Sequence, residues 1–295
     1  MIALQKKGCS SKRVFIVGFS FYVFILFLFV LPTKAKAASG ALPFQEGERL
    51  VFNVRWGFIK VGEAVMEVLP NKFVDGQTVR HFRLKTRSTS FIDNIYKVRN
   101  EFESFTDMGI SRSVLYKKKQ EEGGSCREVV VKFDWNNSIA SYASFGKHEK
   151  DTEILPGTFD PLGILYYTRT LDYGKIDGFR RPVTDGKKCV MGSGTLVGKE
   201  RIKLSGISYD TYVIEPHMKN IDGLFQENQD VRIMLWFKAD HLRIPVKIKI
   251  EVLIGSIICE LVPSFGTQSS GTGKNSPIQN QKADRPNHRP NATNR

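Results

Sequence analysis

The chain has 295 residues, 41% of them apolar, with 44 Lys and Arg against 30 Asp and Glu and a formal charge of +14. That composition excludes a collagen-like, a disulfide-scaffold or a wholly disordered protein. Six positive charges and no acid fall in the first 37 residues, and the tail from Gln268 carries five cations against Asp284. Residues 38–267 are left at +4, so most of the nucleic-acid signature suggested by a pI near 9.6 lies in the two ends.

The first segment reads as an export signal. Lys6, Lys7, Lys12 and Arg13 form a basic region, Val14 to Leu31 is apolar and uncharged, Pro32 ends it, and Ala35-Lys36-Ala37 offers a small-x-small cleavage site. Cleavage after Ala37 is expected. The alternative is an uncleaved anchor, because the apolar run is close to the length that spans a bilayer. Either way the basic side stays in the cytoplasm and the body is periplasmic.

From Arg49 the chain reads as strand after strand. Arg49–Trp56 comes first. Trp56-Gly57 and Gly62-Glu63 then bracket Phe58–Val61 as a tight turn into Glu63–Leu69. Asp75-Gly76 turns the chain toward Phe82–Arg87, an apolar–polar alternation with one wet face. Val98–Phe105, Ser113–Lys119 and Val129–Phe133 follow, with Glu122-Gly123-Gly124 and Asn136-Asn137 as turns. A single helix is predicted near 160–171: Asp160 caps it, Pro161 occupies a first-turn position that lacks a hydrogen bond anyway, and Leu162, Leu165, Tyr166 and Arg169 recur at helical spacing. Asp185-Gly186 precedes strands at Cys189–Val197, Glu200–Leu204 and Tyr209–Glu215. Val231–Phe237 is next. Asp240 suits a turn, or a pair with Arg243, and Pro245 places an edge or a bulge ahead of Val246–Val252. Gly192-Ser193-Gly194 reads as a bulge or a close backbone approach. The tail 268–295 has almost no apolar residue and is expected to be disordered.

The predicted fold is therefore all-β: one domain over 38–267, an antiparallel sheet that curls or closes like a barrel, or a sandwich, with one short helix. Three cysteines follow the signal. Cys126 and Cys189 pair or remain thiols, and Cys259 sits in an apolar run as a core residue.

Catalytic signatures are absent: the sequence has no G-x-S-x-G, H-E-x-x-H or phosphate-binding loop. The histidines are isolated, and no metal or cofactor is expected. Asp160, Pro161, Asp240, Arg243, Pro245, Gly62 and Gly255 are read as structural. Trp56, Glu63, Tyr166, Arg169 and Trp236 are the candidates for contact with a ligand, since aromatic-rich strands either fill a core or line a cavity.

Five stretches in order carry a resemblance: Trp56 to Ala64, Asp160 through Tyr167 with Arg169, Leu235-Trp236 with Asp240, Arg243 to Val246, and Gly255 to Ile257 with Glu260-Leu261. They resemble the bacterial domain-of-unknown-function family 3108 over about residues 44–263. The resemblance implies an exported, β-rich protein and brings no activity, substrate or catalytic residue with it. The expectation is a non-enzymatic protein that binds an apolar or amphipathic envelope component, such as a lipid or lipid-linked glycan, in its concave face. The alternatives are an assembly or scaffold factor that binds another envelope protein, and a hydrolase of envelope polysaccharide. Membrane contact is expected only through an uncleaved N-terminus or the tail.

Overall fold

Residues 41–217, 232–251 and 255–263 are described by a computed structural model. The predicted signal, its cleavage site and the tail 268–295 lie outside them. The chain divides into two compact units, Met1–Leu42 and Pro43–Arg295, and every described strand and helix belongs to the second.

Among the described residues fourteen strands form one antiparallel sheet that is not closed. In chain order they are β1 (Arg49–Trp56), β2 (Ile59–Val74), β3 (Gln77–Ser88), β4 (Val98–Asp107), β5 (Ser113–Glu122), β6 (Ser125–Asp134), β7 (Ile139–Ser144) and β8 (Lys147–Glu153). Then come β9 (Gly178–Thr184), β10 (Cys189–Leu204), β11 (Ile207–His217), β12 (Arg232–Lys238), β13 (Pro245–Glu251) and β14 (Ser256–Leu261). Among the described residues two helices interrupt them, α1 (Ser90–Asp93) and α2 (Gly163–Thr170). The sheet order runs from β8 down to β1, across to β14, and down to β9. The first and last strands thus pair in the middle of the sheet, Phe52 opposite Leu261 and Trp56 opposite Ile257, and the two edges are consecutive in sequence.

The connection between those edges curls the sheet. Thr158 accepts a hydrogen bond from the Ser113 amide of β5 at 3.0 Å, and the next residue, Phe159, bridges in parallel to Val183 of β9. The β9–β10 turn meets β8: Thr152 Oγ1 donates to Gly186 O and Lys150 Nζ to Lys187 O, both at 2.7 Å. The edges themselves are guarded. β8 reads Lys-His-Glu-Lys-Asp-Thr-Glu, and β9 carries Arg180, Arg181 and Pro182, so neither offers a clean template to another strand.

Much of the core lies on the concave face, with smaller clusters around Phe105 and Trp236 on the other. In β1–β8 the concave face is filled by Phe52, Met66, Val68, Phe82, Phe102, Tyr116 and Val131. Tyr166 of α2 stacks on Phe82 at 3.8 Å between centroids, and Phe44 meets both rings edge-on. In β9–β14, Ile214, Ile233, Leu235 and Phe237 form the second cluster together with Tyr173 from the α2–β9 connection, and Leu165 of α2 packs on it.

Most predicted strands are present, with three differences. Ile59–Val61 already belong to β2, so the β1–β2 turn is tighter than the glycines at 57 and 62 suggest. Residues 189–204 form one strand with a bulge between Leu196 and Gly198, where two were predicted. β7, β8, β9, β14 and α1 are additional. Cys126 is exposed, and all three described cysteines are free thiols. Cys259 is half-buried, and desolvation pushes its thiol up to about 11. Under native conditions a maleimide should label Cys126 first and Cys259 far more slowly, as peptide mapping would show.

Candidate functional site

Asp160 is fully buried, and its carboxylate is committed to structure. Oδ1 accepts from the amides of Leu162 and Gly163 at 2.9 and 2.8 Å. Oδ2 accepts from the hydroxyls of Ser104 and Ser113, both at 2.6 Å. The Ile164 amide bonds to Asp160 O, so the residue caps α2 in effect although regular helix begins at Gly163. Burial raises its pKa against the lowering effect of those hydrogen bonds. Asp240 also makes a turn: Oδ1 accepts from the Leu242 and Arg243 amides, and Lys238 pairs with it at 2.8 Å. The Arg243 guanidinium reaches Asp172 instead, at 3.8 Å. Pro245 opens β13, an interior strand, opposite the bulge at Phe237.

The glycines behave as close-approach positions. A Cβ on Gly62 would lie 2.5 Å from Arg87 O. Gly255, at φ +87°, sits under the indole of Trp56, and Gly194 lies against the Phe179 ring, with the bulge displaced to Gly198.

The five ligand candidates separate. Tyr166 and Arg169 are wholly buried: Tyr166 donates to Glu67 O at 3.2 Å, and Arg169 forks onto both oxygens of Glu48 at 2.5 and 2.9 Å. Trp236 is buried and donates to Glu200 at 2.7 Å. Trp56 and Glu63 lie elsewhere, at the end of the sheet where β1 turns into β2.

Between α2 and β9–β13 a cavity of about 60 Å³ is walled by Ile164, Leu165, Phe179, Val183, Ile233, Leu235 and Ile248, with Ser193 and Thr168 at its margin. Ligand pockets run from about 300 to 1,000 Å³. A cavity of that size admits no more than the end of an apolar chain.

The larger hollow is on the other face. Opposite the buried set Ala64, Met66 and Val68, a groove of about 520 Å³ crosses β1–β5. Arg49, Arg83, Lys85, Arg87, Arg99 and Lys119 line it against Glu63, Glu67 and Glu101. The charges form a cross-strand ladder: Glu67 holds Arg83 at 2.8 Å and Arg49 at 3.6 Å, and Glu101 holds Lys85 at 3.4 Å and Arg83 at 3.7 Å. Glu63 holds Arg87 at 3.1 Å. Asp93 of α1 binds Arg99 at 2.5 Å, and that hydrogen bond with the one from Ser88 keeps its carboxyl below the usual range. Pairs at a wetted sheet surface add little beyond what water offers the same charges, so the cations remain available to a stronger anion. Six cations over three carboxylates leave the groove net positive.

Among these lining residues the sequence reading singled out Glu63 alone. The signal that would have found the others is the polar half of the alternation, Arg83, Lys85 and Arg87 on β3 and Glu101 on β4. Asp160 and Asp240 each bind backbone amides, and Glu63 pairs with Arg87.

The model of a family described as a protein of unknown function, DUF3108, matches residues 51–262. Among solved structures, the crystal structure of a beta-barrel-like protein of domain of unknown function DUF1849 from Brucella abortus is similar at 11% identity. The match covers 72% of this chain and 94% of that one, with a TM-score of 0.47. No curated protein matches.

Proposed function

The chain belongs to the DUF3108 family, and from that premise we propose that it is an exported, non-enzymatic protein that binds an anionic amphipathic component of the cell envelope, a lipid or lipid-linked glycan. The observation that carries this reading is the groove on β1–β5: its volume lies in the ligand range, and its cations outnumber its carboxylates two to one. Phosphate and carboxylate headgroups are the natural occupants of such a fork of arginines. The basic segment, apolar run and Ala35-Lys36-Ala37 support export. A partner strand is less well served, because the edges β8 and β9 are charged or blocked by Pro182.

The test is binding of a soluble short-chain phosphatidylglycerol, kept below its micelle concentration, to protein purified from its native envelope. Measurable binding is expected, together with a loss of about tenfold or more in the Arg83→Glu/Lys85→Glu variant. Equal binding of the zwitterionic short-chain phosphatidylcholine, or no effect of the substitutions, would refute the reading. Mass spectrometry of the same preparation gives the mature N-terminus and any co-purifying lipid.

A further inference from the structure

Two neighbouring connections at one end of the sheet carry large apolar side chains into solvent. The β1–β2 turn presents Phe58, 95% exposed, with Ile59 beside it. The β3–β4 connection, which contains α1, presents Phe91 and Ile95, 70% and 75% exposed, with Tyr96 half out. They are neighbours because Gly62 pairs with Ser88 and the Thr89 amide bonds to Val61 O at 2.9 Å, so both connections leave the sheet at the same level. Exposing side chains of this size on adjacent tips works against solubility unless they meet an apolar phase.

Geometry and charge indicate which phase. The side chains protrude from turns rather than paving a flat patch, so they suit a fluid medium better than a shaped protein surface. Lys60, exposed one residue past Ile59, has no acidic partner among the described residues. Directly behind the tips lies the cationic groove, whose Arg87 and Arg99 stand at the base of the two connections, paired with Glu63 and Asp93. Apolar tips backed by cations match the layering of an anionic bilayer, acyl region first and headgroups behind.

We propose that this end docks on an anionic lipid bilayer, with Phe58, Ile59, Phe91 and Ile95 entering the interface and the groove facing the headgroups. This rests on the groove reading for the headgroup and adds a membrane contact that neither the N-terminal segment nor the tail supplies. Binding would then occur at the membrane surface, where the lipid concentration is already high, rather than by extraction from solution.

The decisive measurement is local to the tips, so that no other membrane attachment can mimic it. A Phe58→Trp variant is mixed with phosphatidylcholine–phosphatidylglycerol vesicles whose acyl chains are brominated. Quenching of the added tryptophan beyond that of the parent protein is expected, and its absence would overturn the docking. The Phe58→Ser/Phe91→Ser/Ile95→Ser variant changes only exposed positions. Its vesicle affinity should fall about tenfold or more, while binding of short-chain phosphatidylglycerol is retained; unchanged vesicle affinity would again overturn the proposal. If tip quenching persists while Arg83→Glu/Lys85→Glu leaves lipid binding untouched, the docking stands and the groove reading falls.

Discussion

Arg169→Leu is expected to lower the free energy of unfolding by about 3–5 kcal/mol, read as a shifted urea midpoint at unchanged slope. The guanidinium is wholly buried, and it closes a knot between segments far apart in sequence. It donates to both oxygens of Glu48, to Pro43 O and to Leu242 O, and it lies 5.0 Å over the Phe44 ring. Removing it strands the Glu48 carboxylate, which is 15% exposed at its side chain, against an apolar wall. The cost comes largely from that stranded charge rather than from the lost attraction. A second substitution tests the point: Glu48→Leu added to Arg169→Leu should recover a good part of the loss. If the double variant is no more stable than the single one, the knot acts through packing instead.

Asp160→Ala should cost about 3 kcal/mol. The helix loses its cap, about 1 kcal/mol, and the buried hydroxyls of Ser104 and Ser113 lose their acceptor, at about 1–3 kcal/mol for each group left unsatisfied. Asp160→Asn is milder, since Oδ1 persists and the hydroxyls can turn. It also exposes a pH dependence. Burial raises the pKa of the native carboxyl above its ordinary 3.8, so the folded chain holds that proton more tightly than the unfolded chain. The stabilisation from protonation is fully present below 3.8 and is lost as pH rises through the folded value. Asn cannot titrate. The deficit of Asp160→Asn relative to the parent should therefore shrink as pH increases, in paired unfolding curves. A deficit that grows with pH would mean that the hydrogen bonds outweigh burial.

These two residues mark what a single sequence discloses. Asp160-Pro161 is a local signal, and it placed the helix and its cap. Period-two alternation placed β3, β12 and β13 for the same reason: one buried face repeats within a few residues. β8 has no such face, because it is a charged edge, and β7 is a short strand beside it. The Arg169–Glu48 pair and the groove are different in kind. The pair exists only because the helix docks beside the segment before β1, and the groove only through register, Glu67 opposite Arg83 and Glu101 opposite Lys85 and Lys119, and neither is written in any local window. The candidate site was thus visible as individual polar-face residues and invisible as a place.

The central pairing of β1 with β14 has a consequence for how the molecule comes into being. A chain made N-terminus first presents β1 to β8 before any of the C-terminal half, and those strands are a continuous series of hairpins able to form locally. β1 would then wait with an unsatisfied edge, since its second neighbour arrives last. That edge is an interior seam in the finished molecule, so it has no need of the charges and proline that protect β8 and β9. The half-completed molecule is accordingly the species most exposed to wrong pairing. Closure of the seam, a contact between the two extremes of the domain, is the step expected to set the pace of maturation.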